Sequence, residues 1–389
     1  MALSDPAQVG SLLQQGLTAL QQGRLQEARK NLEIASKLEP KNPYAWTSLA
    51  ETYFRLKDRN RASTAAETAE KVGSEDPIVW HALAMYYSES GEFGKAGRLE
   101  ARFAESPKSD PEATARAAGL YLNAGETDSA LSLARKSAAQ QISAAHENLL
   151  GRALAASGQL TEGTQHLGNA RQLAPGDPKI AFDYAQVLLR KEDFEAAADV
   201  LDSATAAHPN DSQLVLGMGV ARYGQRRFED SIVLFLRVIS LDPSIEQPYI
   251  FLGQMLDQAG SHLAEITGAY REWMQREPKN AKASFLLAKA LLAGGGNDEE
   301  AEMLLRRSIS TDDSRWESHY ELGVLAVKKR DYQAALAELT RSVNLEPKQP
   351  TTHYQLARVY DRIGEPEKAK AERAVHAQLT TLNPAANPH

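Results

Sequence analysis

Residues 316–349 read WESHYELGVLAVKKRDYQAALAELTRSVNLEPKQ, and their pattern decides the fold. Numbered one to thirty-four, the stretch is apolar at Tyr320, Leu322, Val324, Leu325 and Val327 in its first half, and at Ala334, Ala335, Leu336, Leu339, Val343 and Leu345 in its second. Both halves carry the three-and-four spacing of an amphipathic helix, not the alternation of a strand. Each helix runs about fourteen residues, roughly 21 Å at 1.5 Å per residue. Gly323 at position eight and Ala335 at position twenty are small, as two closely crossing helices require. Pro347 at position thirty-two lacks the N–H that a continuing helix would use, so it ends the second helix.

The same marks recur along the chain. Gly16, Ala28 and Pro40 stand twelve and twelve residues apart, as do Gly151, Gly163 and Pro175, and Gly323, Ala335 and Pro347. A fixed period in the thirties means stacked supersecondary units. Such an array grows along one axis, so length counts repeats here rather than globular domains.

Around these marks Trp46 and Trp80 fall at position four, and Leu49-Ala50 and Leu83-Ala84 parallel Leu322-Gly323. Tyr53, Tyr87, Tyr121 and Tyr360 share one position, and Pro40, Pro175, Pro209, Pro243 and Pro347 close their repeats. Trp, Leu-Gly, Tyr, Ala and Pro in this order resemble the tetratricopeptide repeat, over roughly residues 9–382. Repeats are expected at 9–42, 43–76, 77–110, 111–143, 144–177, 178–211, 212–245, 246–280, 281–315, 316–349 and 350–383, with 1–8 as an N-terminal extension and 384–389 as a disordered tail. The fold expected is all-α, a right-handed α-solenoid of about eleven helix–turn–helix units, because stacked helix pairs of constant handedness curl into a superhelix.

Departures from the period carry geometry. The unit 111–143 is one residue short and lacks its closing proline, while 246–280 and 281–315 each hold one residue too many. Gly294-Gly295-Gly296-Asn297 sits at the turn between two helices, where glycine permits positive φ; this is a loosened turn rather than a phosphate loop. The last helix, with Lys368, Lys370, Glu372, Arg373, His376 and Gln378, reads as the polar cap that a terminal repeat needs.

Composition sets outer bounds. With 42% apolar and 24% charged residues, the chain is typical of a folded soluble protein, and no apolar run is long enough to span a bilayer. A net charge of -7 is modest for the size and implies no strong attraction to nucleic acid or anionic lipid. The absence of cysteine removes disulfides, thiolate zinc sites and cysteine nucleophiles together. The start, Met-Ala-Leu-Ser-Asp-Pro, has no basic and apolar leader, which favours the cytoplasm; an exported form with its leader already removed is the alternative.

Motifs that suggest chemistry have structural readings. Gly217-Met218-Gly219 opens like a dinucleotide fingerprint but lies inside a first helix, with no strand before it. His146-Glu147 lacks the second histidine of a metalloprotease helix, since Leu150 stands there. His319 and His353 occupy the packing-tryptophan position, so partly buried packing is preferred to a paired ligand or a pH-sensitive contact. Glu299-Glu300 and Glu192-Asp193 fall at helix starts, where carboxylates complement unpaired N–H groups. No catalytic residue, cofactor or metal site is expected.

The resemblance implies that positions two, five, nine, twelve and thirteen of each first helix face the groove. From the eighth repeat onward these positions include Lys282, Phe285, Lys289, Glu317, Tyr320, Val324, Lys328, Tyr354, Arg358, Asp361 and Arg362. Aromatic rings alternating with cations suit an extended peptide with apolar and acidic groups, and Phe285, Lys289, Tyr320, Lys328, Tyr354, Arg358 and Arg362 are the candidate partner-binding residues. Family members that hold a chaperone's C-terminal carboxylate use a lysine and asparagine ladder; Asn148 and Arg152 touch that pattern in one repeat, and the neighbouring repeats do not continue it. The function expected is a non-catalytic scaffold for a protein or peptide segment. The alternative is a regulatory or substrate-recruiting array acting with a separate catalytic subunit such as a glycosyltransferase, and self-association by end-to-end stacking is a further option.

Overall fold

The computed structural model describes residues 6–382. Among them lie twenty-two α-helices, two short 3-10 turns and no strand, an all-α repeat array. The array divides into two compact units at residues 193 and 194. In the first are α1 (Pro6–Gln21), α2 (Leu25–Leu38), α3 (Pro43–Arg55), α4 (Arg59–Val72), α5 (Pro77–Glu89), α6 (Phe93–Ala104), α7 (Ala113–Asn123), α8 (Thr127–Gln140), α9 (Ala144–Ala156), α10 (Leu160–Leu173) and α11 (Pro178–Arg190). The second holds α12 (Phe194–Ala207), α13 (Ser212–Gly224), α14 (Phe228–Leu241), α15 (Gln247–Gln254), α16 (Leu263–Arg276), α17 (Ala281–Ala293), α18 (Asp298–Thr311), α19 (Trp316–Lys328), α20 (Tyr332–Leu345), α21 (Pro350–Arg362) and α22 (Pro366–Leu382). Residues 6–8, assigned to the expected extension, already belong to α1; residues 1–5 and the expected tail at 384–389 lie outside the described residues.

Local chemistry explains the helix starts. Asn42, Asp76, Asp177, Asp211 and Asn280 each precede a first helix, and each side chain accepts N–H groups of its opening turn. Proline follows at positions 43, 77 and 178, where its missing N–H costs nothing. The closing turn of one repeat is therefore also the cap of the next.

Between paired helices the chain turns through one left-handed residue, always at position fifteen. Seven of these are glycine, at 23, 91, 125, 158, 260, 295 and 364, and four are not: Lys57, Glu192, Arg226 and Arg330, with φ of 59–63°. The extra residue of the eighth and ninth repeats follows this position: the second helix begins three residues after Gly260 and Gly295, against two after Arg226 and Arg330. The short fourth repeat loses its residue elsewhere. Only residues 141–143 join α8 to α9, and extended Gln141 and Ser143 leave Ile142 between them 79% exposed.

Position eight is small because position twenty-four is large. A Cβ built on Gly323 would stand 2.7 Å from Leu339 Cγ, on Gly16 2.6 Å from Leu32 Cγ, on Gly151 2.6 Å from Leu167 Cγ, and on Gly219 2.7 Å from Phe235 Cε1. Gly217-Met218-Gly219 is thus part of α13 and its packing. The eighth repeat breaks the rule. Ile266 and Tyr270 take the places of the usual alanine and leucine, Tyr270 donates a 2.8 Å hydrogen bond to the Tyr249 carbonyl, and Trp273 stacks 4.4 Å from the Tyr249 ring. Here α15 stops after eight residues and passes through 3-10 turns at Leu256–Gln258 and Gly260–His262.

In five repeats position four ties the unit to the turn before it. The indole N–H of Trp46 donates to Pro40 O at 2.9 Å, that of Trp80 to Ser74 O at 3.0 Å, and the Tyr249 hydroxyl to Pro243 O at 3.3 Å. His319 and His353 sit in the same register, 4% and 5% exposed, with Nε2 on Asp313 O and Pro347 O at 3.4 and 2.9 Å. Their Nδ1 atoms meet Glu338 and Glu372, nineteen residues on, at 2.7 and 2.6 Å. Glu147 and His166 make the same pair with the roles exchanged, at 2.8 Å. Packing is therefore the role of these histidines, as expected, though through hydrogen bonds that the spacing does not reveal.

Candidate partner-binding surface

In the second unit the first helices α19 and α21 bring three of the seven candidates together. Tyr354 is 47% exposed on α21, and the Arg358 guanidinium lies 5.9 Å from its ring centroid. Arg358 also donates to Gln355 Oε1 at 3.1 Å. Tyr320 reaches the same place from α19: its ring packs in the local core, and Gln355, Thr351 and Arg358 surround its hydroxyl. Burial raises the hydroxyl's pKa and Glu321 adds to the rise, while those three neighbours oppose it. Tyr354, Arg358 and the edge of Tyr320 thus form one patch around Gln355, with Arg362 exposed farther along α21.

The remaining candidates have other roles. Phe285 lies in the core, 8% exposed, with the Arg315 guanidinium 5.8 Å from its ring centroid, so it is removed from the surface on which position five was expected to place it. Lys289 is half-buried and donates to Gly253 O at 2.9 Å, taking a carbonyl at the end of the interrupted α15. Its ammonium is committed to structure. Lys328 is exposed but pairs with Asp298 of the preceding repeat at 2.6 Å.

Two features were missed in the sequence. Glu321, at position six, lies in the wall near Lys289 and Asp257; burial raises its pKa, Asp257 adds to that, and Lys289 opposes it. Position six carries no rule that would have flagged it. The second is in the first unit, where Leu13, Leu17, Tyr44, Ile78, Met85 and Tyr86 line a concavity of about 540 Å³ on α1, α3 and α5. Tyr44 and Ile78 stand at position two and Met85 at position nine, so the groove rule applied to the first repeats would have found it.

The asparagine and arginine of the middle repeats are already engaged. Asn148 Nδ2 donates to Asp183 Oδ2 at 2.8 Å and Arg152 Nε stands 3.6 Å from the same oxygen, so a carboxylate of the chain itself holds the place of an incoming one. His146 is buried, with Nδ1 2.6 Å from the Ser143 hydroxyl.

A family model described as the tetratricopeptide repeat matches residues 19–86 and 154–217. Those two stretches match as tetratricopeptide repeats, within an all-α repeat array. No curated protein matches it. Among solved structures, a tetratricopeptide repeat protein from Parabacteroides merdae is 17% identical with a TM-score of 0.50, over 63% of this chain and 98% of its own. A human IFIT1 dimer with m7Gppp-AAAA is 16% identical with a TM-score of 0.45, over 97% and 96% of the two chains. Yeast Tom70 is 13% identical with a TM-score of 0.43, over 95% and 92%. At 17% identity the likeness to the first of these shows the fold alone. Among the described residues no helix is long and apolar enough to cross a membrane.

Proposed function

We propose that this chain is a non-catalytic scaffold that holds a protein or peptide segment against the first helices of its last repeats. Repeats of this kind serve as interaction modules, and the observation that carries the reading is Tyr354, an aromatic side chain left 47% exposed beside the Arg358 guanidinium. A ring and a guanidinium side by side can stack an apolar side chain and pair with a carboxylate, and such residues dominate interface energetics. The occupant is a segment with an apolar or aromatic side chain next to an acidic one.

The test uses Tyr354→Ala with Arg358→Ala rather than a change at Tyr320, because the Tyr320 ring is part of the core and its loss would unsettle the repeat. Proteins captured by the intact chain and by the double variant are compared quantitatively, with circular dichroism to verify that helicity is equal. At least one partner must be lost from the variant. If every partner remains bound, the patch is an ordinary solvated face.

A further inference from the structure

The first unit holds a groove of different chemistry. Its walls are Leu13 and Leu17 from α1, Tyr44 from α3, and Ile78, Met85 and Tyr86 from α5, around about 540 Å³, within the range of roughly 300–1,000 Å³ typical of ligand-sized clefts. Tyr44, Ile78 and Met85 are exposed apolar side chains gathered on one concave face, where single scattered ones would need no explanation. The floor is held in place. Phe54 meets Tyr86 edge-on at 5.9 Å, Tyr86 meets Tyr87 at 5.2 Å, and the Tyr44 hydroxyl donates to Asp76 Oδ2 at 2.6 Å. A surface fixed in this way loses little side-chain freedom when it is covered.

Charge identifies the occupant. The charged groups lining the groove are Glu51, Arg55 and Glu89, and Arg55 is taken by Glu51 at 2.5 Å. Glu89 is exposed and pairs with no cation among the described residues. The groove is therefore apolar with one uncompensated carboxylate at its rim. That disfavours phosphate-bearing polymers and lipid headgroups and favours a cation carried next to apolar side chains. We infer that the first three repeats dock a protein segment presenting aliphatic side chains beside a lysine or arginine. This site is independent of the Tyr354 patch, whose chemistry calls for an acidic segment instead.

A phage-displayed library of random peptides, panned against the full chain, reads this directly. Enriched sequences carry two or more aliphatic residues adjacent to Lys or Arg, and a synthetic peptide of the leading sequence is then titrated by fluorescence anisotropy. Met85→Glu, which sets a carboxylate against the apolar anchor, weakens that peptide at least about tenfold. Glu89→Lys weakens it too, and exchanging the peptide's cation for Glu restores binding to Glu89→Lys alone. Tyr354→Ala with Arg358→Ala leaves the affinity unchanged, which separates this site from the one proposed above. Three results would each overturn the inference: no enriched peptide, enrichment without the cation, or a charge exchange that restores nothing. Met85 and Glu89 are both exposed, so neither substitution endangers folding.

Discussion

Substituting Gly323 tests the account of how paired helices approach. A Cβ at this position would lie 2.7 Å from Leu339 Cγ, 2.9 Å from Cδ2 and 3.3 Å from the Leu339 amide nitrogen. Ordinary carbon contacts begin near 3.5 Å, so a new rotamer of Leu339 relieves the first two contacts and leaves the backbone one. Gly323→Ala therefore requires α19 and α20 to separate, an overpacking that costs about 1–3 kcal/mol, offset by about 1 kcal/mol of helix propensity. Leu339→Ala alone empties a fully buried site and costs about 2–5 kcal/mol. Together they interact: the alanine methyl at 323 occupies space that Leu339 vacated, so the double variant is less destabilised than the sum by about 1–3 kcal/mol. Hydrogen exchange of amides in α19 and α20 is the assay, because a repeat array opens locally and a single global transition is not assured. Additivity within about 0.5 kcal/mol would refute the reasoning.

Other consequences follow from the same geometry. Arg330→Gly relieves a left-handed residue that costs about 1–2 kcal/mol at an entropic loss of about 0.5–1 kcal/mol, so it stabilises its repeat slightly; Gly91→Ala does the reverse, and urea midpoints that shift the other way would discard the turn argument. Glu321 and Glu302 differ in sign. Burial raises the pKa of Glu321, so its stabilising contribution is greatest below the unfolded carboxyl value and is lost as pH rises through the folded one; Glu321→Gln raises thermal stability at pH 7, and that gain shrinks on acidification. Lys329 and Arg306 hold Glu302 below its ordinary range, so its contribution is present above the unfolded value and lost as pH falls; Glu302→Gln lowers stability at pH 7 and approaches the parent protein in acid. Melting curves from pH 3 to 8 on both variants would show whether the two trends diverge.

Helix pairing was legible in the sequence because it is local. Gly323, Ala335 and Pro347 act within thirty-four residues, and their spacing repeats wherever the same two helices cross. Exposure at position five was not legible, because the following repeat decides it. Tyr320 is covered by Gln355 and Thr351 of α21, and Phe285 by Arg315 at the start of α19. Tyr354 has no later first helix against it among the described residues, and stays open. Lys289 escaped for a related reason: its carbonyl partner, Gly253 O, lies one repeat earlier, where α15 is interrupted. The N-terminal groove follows the same position rule, through Tyr44, Ile78 and Met85.

The left-handed turn at position fifteen also marks where this chain can be handled. Two repeats already carry an added residue just after it, and their second helices still begin and pack. A short tag or a fluorophore-bearing cysteine placed after Arg226 or Arg330 would join a connection whose length is free to vary, on a background with no native thiol to compete for label.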